Sequence, residues 1–169
     1  MAIKNRPEFQ KFIRRVEKSS DEFRASSTEK RHSKQYRTAR ENLAHLADQD
    51  SFLEFGQFAV AAQRSRRDYE ELQDKTNADG IITGFCSINS ELVGSENSQA
   101  VAIVYDYSVL AGTQGAFHHL KLDRICDQAK KFELPIVIFT EGGGGRPGDT
   151  DVLIPVSYTH LTLPTSVIV

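Results

Sequence analysis

Pro135-Ile136-Val137-Ile138-Phe139-Thr140-Glu141-Gly142-Gly143-Gly144-Gly145-Arg146-Pro147-Gly148-Asp149 sets a short apolar, β-branched run directly before four consecutive glycines. An apolar run of this length bounded by turn residues reads as a buried strand. The glycines then fall at its carboxyl end, where open α/β sheets place their ligands. A glycine run permits backbone torsions and close approaches that any Cβ would forbid. Its N–H groups can converge on an anion or on a developing oxyanion. The same composition also suits a flexible surface loop, and both readings stand at this point. A phosphate-cradling P-loop fits worse, because the required Lys and Ser/Thr are absent.

Working outward, Pro135 stops whatever helix precedes it. Phe117, Leu120, Ile125, Ala129 and Phe132 give an apolar stripe, so the spacing predicts a helix over 116–132. Ala111-Gly112-Thr113-Gln114-Gly115 leads into it, and small residues there leave helix N-terminal donors open to an anionic ligand. His118 and His119 sit in the first turn with Lys121 and Arg124 beyond. Adjacent histidines point to different helix faces and do not form a chelating pair, so no metal is expected. Upstream, AVAIVYDYSV (100–109) is the strongest strand in the chain, and 81–88 is a second one after the Asp79-Gly80 turn. Together they predict an antiparallel hairpin with a polar eleven-residue connection, 89–99. The order strand, strand, helix, strand predicts a ββα unit with two glycine-rich loops at the ligand end of the sheet.

The amino-terminal third differs. Phe9, Phe12, Ile13 and Val16 recur at helical spacing, which predicts an amphipathic helix over 7–18. The polar stretch 19–33 reads as loop or exposed helix. Tyr36, Ala39, Leu43 and Leu46 share one helical face, with Arg37 and Arg40 beside it, as phosphate ligands or as a solvated face. Asp50-Ser51 is a turn, Phe52 to Val60 reads as extended or irregular chain, and the charged stretch 64–75 reads as surface.

Composition narrows the function classes. A chain of 169 residues with 39% apolar and 26% charged residues is an ordinary globular domain with a real core. A net charge of -2 gives no electrostatic case for binding nucleic acid. Cys86 and Cys126 stand 40 residues apart without a C-x-x-C pair, which fits reduced core thiols. No apolar run reaches the ~20 residues of a membrane helix, and the charged start lacks a secretory core. The expected location is cytoplasmic, without membrane attachment.

From Ala39 through Asp149, the segments ARENLAHLADQDSFLEF, DGIITGF, VAIVYDYSVLAGTQG and PIVIFTEGGGGRPG resemble, in order and spacing, the N-terminal half of biotin-dependent acyl-CoA carboxyltransferases. The resemblance implies an α/β crotonase (ClpP-like) fold built from ββα units, of which this is a partial domain over 39–155. Residues 1–38 form a charged, largely helical segment before it. Two departures point to a divergent branch of the family, such as one fused to biotin carboxylase. Where common members carry Ser-Gly-Gly-Ala-Arg, this chain has Gly142-Gly143-Gly144-Gly145-Arg146, and its 89–99 segment is longer.

The implied activity moves a carboxyl group from carboxybiotin to the α-carbon of a short acyl-CoA. Gly143, Gly144 and Gly145 match the family's oxyanion-hole loop, and Gly112, Thr113, Gln114 and Gly115 match the loop beside the CoA thiol end. Arg146 either meets CoA phosphate or carboxybiotin, or braces the loop through a carboxylate such as Glu141. The implied cofactor is biotin on a separate carrier domain or subunit, with biotin carboxylase and the biotin carboxyl carrier as partners. A homo-oligomer is implied for the full-length protein, whose active site lies between this half of one subunit and the C-terminal half of another. The fragment alone is then inactive. A non-catalytic acyl-CoA or subunit binding module and a biotin-dependent decarboxylase are the alternatives. After Pro155 the family pattern stops, and Val156-Ser157-Tyr158-Thr159-His160-Leu161-Thr162-Leu163-Pro164-Thr165 resembles a translated sequencing-library adapter, which makes 156–169 a non-native tail.

Overall fold

The computed structural model describes residues 6–152, so the tail expected over 156–169 lies outside the described residues. Helices α1 (Pro7–Glu17), α2 (Ala25–His32) and α3 (Ala39–Leu46) come first, followed by strand β1 (Leu53–Phe55) and helix α4 (Tyr69–Lys75). Strand β2 (Ile81–Ser87), the single-turn α5 (Ser90–Val93), strand β3 (Gln99–Tyr105), helix α6 (Ala116–Phe132) and strand β4 (Ile136–Phe139) complete the unit. The four strands form one sheet in the order β1-β2-β3-β4. β1 and β3 pair antiparallel with β2, while β4 lies parallel to β3 across the α6 crossover. The strand, strand, helix, strand order is therefore present as expected.

The alternation of β3 distributes its side chains between two cores. Ala100, Ala102 and Val104 pack with Ala39 and Leu43 of α3, and with Ile82 and Cys86 of β2. Val101, Ile103 and Tyr105 face the other way, onto Leu122, Ile125 and Ala129 of α6. Both faces of β3 are thus covered, which is why it reads as a continuous apolar run rather than an alternating one. α3 begins at a capping box: Thr38 Oγ1 accepts from the Glu41 N–H at 3.0 Å, and the Thr38 N–H donates back to the Glu41 carboxylate at 2.8 Å.

Several expectations need correction. β4 is an edge strand, and none of its four residues is buried, because no further strand among the described residues covers its far side. β3 stops at Tyr105 rather than 109: the Asp106 carboxylate accepts the Ser108 N–H at 2.9 Å, which turns the chain away from the sheet. In α6 the residues packed inward are His118, Lys121, Leu122, Ile125 and Ala129, whereas Phe117, Leu120 and Phe132 are exposed. The stretch 64–75 is not wholly surface, since Leu72 of α4 is fully buried against Val60 and Ala61. Arg40 neither faces solvent alone nor waits for a phosphate; it pairs with Glu54 of β1 at 2.6 Å.

Candidate functional site

The loops that follow β3 and β4 leave the carboxyl ends of two adjacent parallel strands, and they meet. Gln114 and Gly145 form a parallel bridge, with the Gln114 N–H on the Gly144 carbonyl and the Arg146 N–H on the Gln114 carbonyl, both at 2.8 Å. The contact is backbone on backbone. A Cβ on Gly112 would meet the Glu141 carbonyl oxygen and, at 2.9 Å, the Gly142 Cα, while a Cβ on Gly142 would meet the Gly112 carbonyl. Only glycines let the two chains lie this close. Leu110, Ala111 and Gly112 all have positive φ, so the turn before this contact is left-handed over three residues.

The accounting of N–H groups decides what the loops offer. Gly112 and Thr113 donate to the Val109 and Leu110 carbonyls, and Gln114 donates to Gly144. The Gly143 N–H is also used, on the Ala111 carbonyl at 3.1 Å. Among the described residues, the Gly144 and Gly145 N–H groups have no hydrogen-bond partner, and both residues are exposed. Gly144 has φ +88, and a Cβ there would meet nothing within 4 Å. Of the three glycines expected to supply donors, two remain open at the loop apex and Gly143 holds the loop to its neighbour.

Arg146 turns inward. It is 5% exposed; its Nη1 pairs with Asp79 and lies 3.5 Å from Asp149. Nη2 donates to the Thr113 carbonyl at 2.6 Å and Nε to Thr113 Oγ1 at 3.2 Å. Of the two roles open in the sequence, the geometry is that of the brace, with Asp79 in place of Glu141. Glu141 instead receives a bidentate pair from Arg31 of α2 at 2.6 and 2.7 Å. The α6 N-terminus is not open to an external anion at the positions expected. Asp149 accepts the Ala116 N–H at 2.8 Å, and Asp79 accepts the His118 N–H at 2.8 Å. Two internal carboxylates therefore sit where a helix N-terminus favours negative charge.

Asp79 is fully buried and belongs to a turn in which Ala78, Asp79 and Gly80 all have positive φ. Non-glycine residues held there cost about 1–2 kcal/mol each, and surrounding contacts must fix them. Lys121 does so: its buried ammonium donates to the Ala78 carbonyl at 2.9 Å and to the Ile81 carbonyl. Burial pushes the Lys121 amine down to about 8 and the His118 imidazole down to about 3. It also raises the Asp79 carboxyl, against the Arg146 guanidinium that draws it down. His118 Nδ1 lies 3.3 Å from the Asp79 carbonyl, which can only accept, so this nitrogen carries the proton; the ring stacks edge-on against Tyr105 at 4.6 Å.

Beside the two loops, Lys30, Arg31, Lys34, Tyr36, Tyr107 and Glu141 line a groove of about 510 Å³. Sequence reasoning missed Asp79, taking it only as part of a turn; a charged residue two positions before a buried strand was the available signal. It also missed Arg31, for which no local signal exists, since its partner lies 110 residues away.

The unit as a whole superposes on known structures. A single-chain, multi-domain long-chain acyl-CoA carboxylase superposes with a TM-score of 0.82 at 48% identity, covering 86% of this chain and 14% of that one. Transcarboxylase 12S, solved as a hexamer core with methylmalonyl-CoA bound, superposes at 0.66 with 27% identity, covering 88% and 27%. The alpha subunit of methylmalonyl-CoA decarboxylase from Veillonella parvula is 31% identical over 118 residues, 70% of this chain and 21% of that protein. The chain thus spans roughly a fifth of the length of these relatives. The fold is that of the crotonase-type carboxyltransferases, as the resemblance implied. With the carboxyl transferase domain model matching residues 30–153 on top of that likeness, the chain belongs to the carboxyl transferase domain family.

Proposed function

We propose that this chain forms the acyl-CoA side of a biotin-dependent carboxyltransferase, with the Gly144 and Gly145 N–H groups as the oxyanion donors. The observation that carries this reading is the pair of unpartnered N–H groups at an open apex. Carboxylation at the α-carbon of a thioester passes through an enolate, whose oxygen gathers negative charge. Fixed backbone donors stabilise that charge without reorganising, and each is worth ~2.7–4 kcal/mol of barrier. Gly112, Thr113, Gln114 and Gly115 form the wall beside the thioester, and Arg146 braces both loops rather than touching substrate. Biotin, delivered on its carrier, supplies the carboxyl group. The site's residues fit that delivery, because the apex at Gly144 is open: a Cβ there would meet nothing within 4 Å.

The Lys30, Lys34 and Tyr107 groove lies beside both loops and suits the phosphorylated end of the thioester. The partners in this reading are biotin carboxylase and the carrier, and the parent assembles as an oligomer, as the transcarboxylase 12S core does. The decarboxylase relative keeps a second reading in view, with the same loops stabilising the enolate formed as carbon dioxide leaves. The test is the complete parent protein, given biotin, ATP, bicarbonate and its biotin carboxylase. Carboxylation of one member of a panel running from acetyl-CoA to long-chain acyl-CoA is expected. Decarboxylation alone selects the second reading, and enoyl-CoA hydration without either reaction sinks both.

A further inference from the structure

We infer that Asp79 is a positioning residue for the glycine loop, acting through Arg146. The inference rests on the oxyanion reading of Gly144 and Gly145. Asp79 lies just before β2, 67 residues from Arg146 in sequence, yet its fully buried carboxylate pairs with the Arg146 guanidinium. Its other oxygen accepts the His118 N–H in the first turn of α6. One side chain therefore ties the loop after β4 to the rigid start of a 17-residue helix.

The guanidinium then distributes that anchorage. Nη2 and Nε hold the Thr113 carbonyl and hydroxyl, which belong to the loop after β3, so both loops hang on the same fork. Three residues, Gly143 to Gly145, separate the Gly142 contact with Gly112 from Arg146, and the two open N–H groups lie between these fixed points. A loop of glycines has no side chains with which to fix its own torsions. Its order must come from contacts with its neighbours: the Gly143 N–H on Ala111 and the Gln114 N–H on the Gly144 carbonyl hold its middle, and Asp79 holds the end at Arg146. Asp149 assists by holding the Ala116 N–H and Gln63 Nε2, but it stands 3.5 Å from the guanidinium and forms the weaker pair. The left-handed strain of Ala78 and Asp79 fits this role, because strained backbone persists where the surroundings impose a functional geometry.

The experiment uses the complete parent protein and its Asp79→Asn, Arg146→Gln and doubly substituted forms. Hydrogen exchange is followed over peptides spanning 140–149, with β2 and β3 as internal references. Each single substitution should speed exchange in 140–149 at least tenfold while leaving β2 and β3 unchanged. It should lower kcat for carboxylation by about 10–100-fold with KM within threefold. The double variant should be no worse than the poorer single one, since both act through one link. If Asp79→Asn does not fold, Arg146→Lys carries the test. It keeps the charge opposite Asp79 but cannot span Thr113, and should loosen 111–115 and 140–149 together.

Unchanged exchange in 140–149 for the folded variants overturns the inference. So do losses that multiply in the double variant, or a KM rise with kcat intact. Exchange judges the positioning without reference to turnover. An unsubstituted protein that carboxylates nothing counts against the proposed function, not against the tie between Asp79 and the loop.

Discussion

Replacing Gly144 with Val separates the chemistry of the glycine loop from its stability. Gly144 sits at φ +88, and its Cβ position faces open space. The added Cβ therefore meets no clash there, and the cost is that of holding an L-residue in left-handed backbone, about 1–2 kcal/mol. A domain with ~5–15 kcal/mol of stability remains folded after such a loss. The chain relieves the strain by rotating toward negative φ, which swings the Gly144 N–H off its direction. It also disturbs the Gly144 carbonyl that accepts the Gln114 N–H at 2.8 Å. Loss of one aligned oxyanion donor corresponds to ~10²–10³ in kcat. The assay is kcat for carboxylation in the complete parent protein beside urea unfolding of the same variant. A midpoint shift equivalent to 1–2 kcal/mol with a hundredfold lower kcat is expected. Near-normal kcat in the folded variant would refute the oxyanion role and return the loop to a flexible connection.

Other perturbations test neighbouring parts of the argument. Gly142→Ala drives a methyl onto the Gly112 backbone, so it should destabilise by about 1–3 kcal/mol and speed amide exchange across 111–115. Gly84→Ala in β2 sets a Cβ against the Leu53 carbonyl and, at 2.6 Å, the Phe52 ring, so loss of β1 protection with β2–β3 pairing intact should follow in hydrogen exchange. On the acid side, His118 stays neutral to about 3 in the fold while the unfolded residue protonates near its ordinary 6.5. The unfolded chain then binds more protons, so stability falls as pH drops from 6.5 toward 3. The raised Asp79 carboxyl works in the opposite sense. His118→Gln should flatten the acid limb of urea midpoints measured between pH 7 and 4. On the alkaline side, Lys121 loses its proton at about 8 in the fold and at 10.5 when unfolded, so stability should rise across that interval. Lys121→Met should abolish that rise while leaving the Ala78 and Ile81 carbonyls without their donor.

The sequence by itself determined the ββα unit and the two glycine loops. The continuous apolar run of β3, the proline before β4 and the helical stripe of α6 are local signals, and local sterics and burial enforce them. Ordered motifs from Ala39 to Asp149 carried the family for the same reason: they record many backbone constraints at once. Tertiary structure alone decided which donors are open, since Gly143 is spent on Ala111 and its neighbours are not. It also decided that Arg146 answers Asp79 and Thr113, and that Glu141 answers Arg31. Those pairings join residues 33 to 110 positions apart. A buried charge takes whichever partner the packing brings within reach, because leaving it unpaired in low dielectric costs several kcal/mol. No periodicity in the chain encodes that choice.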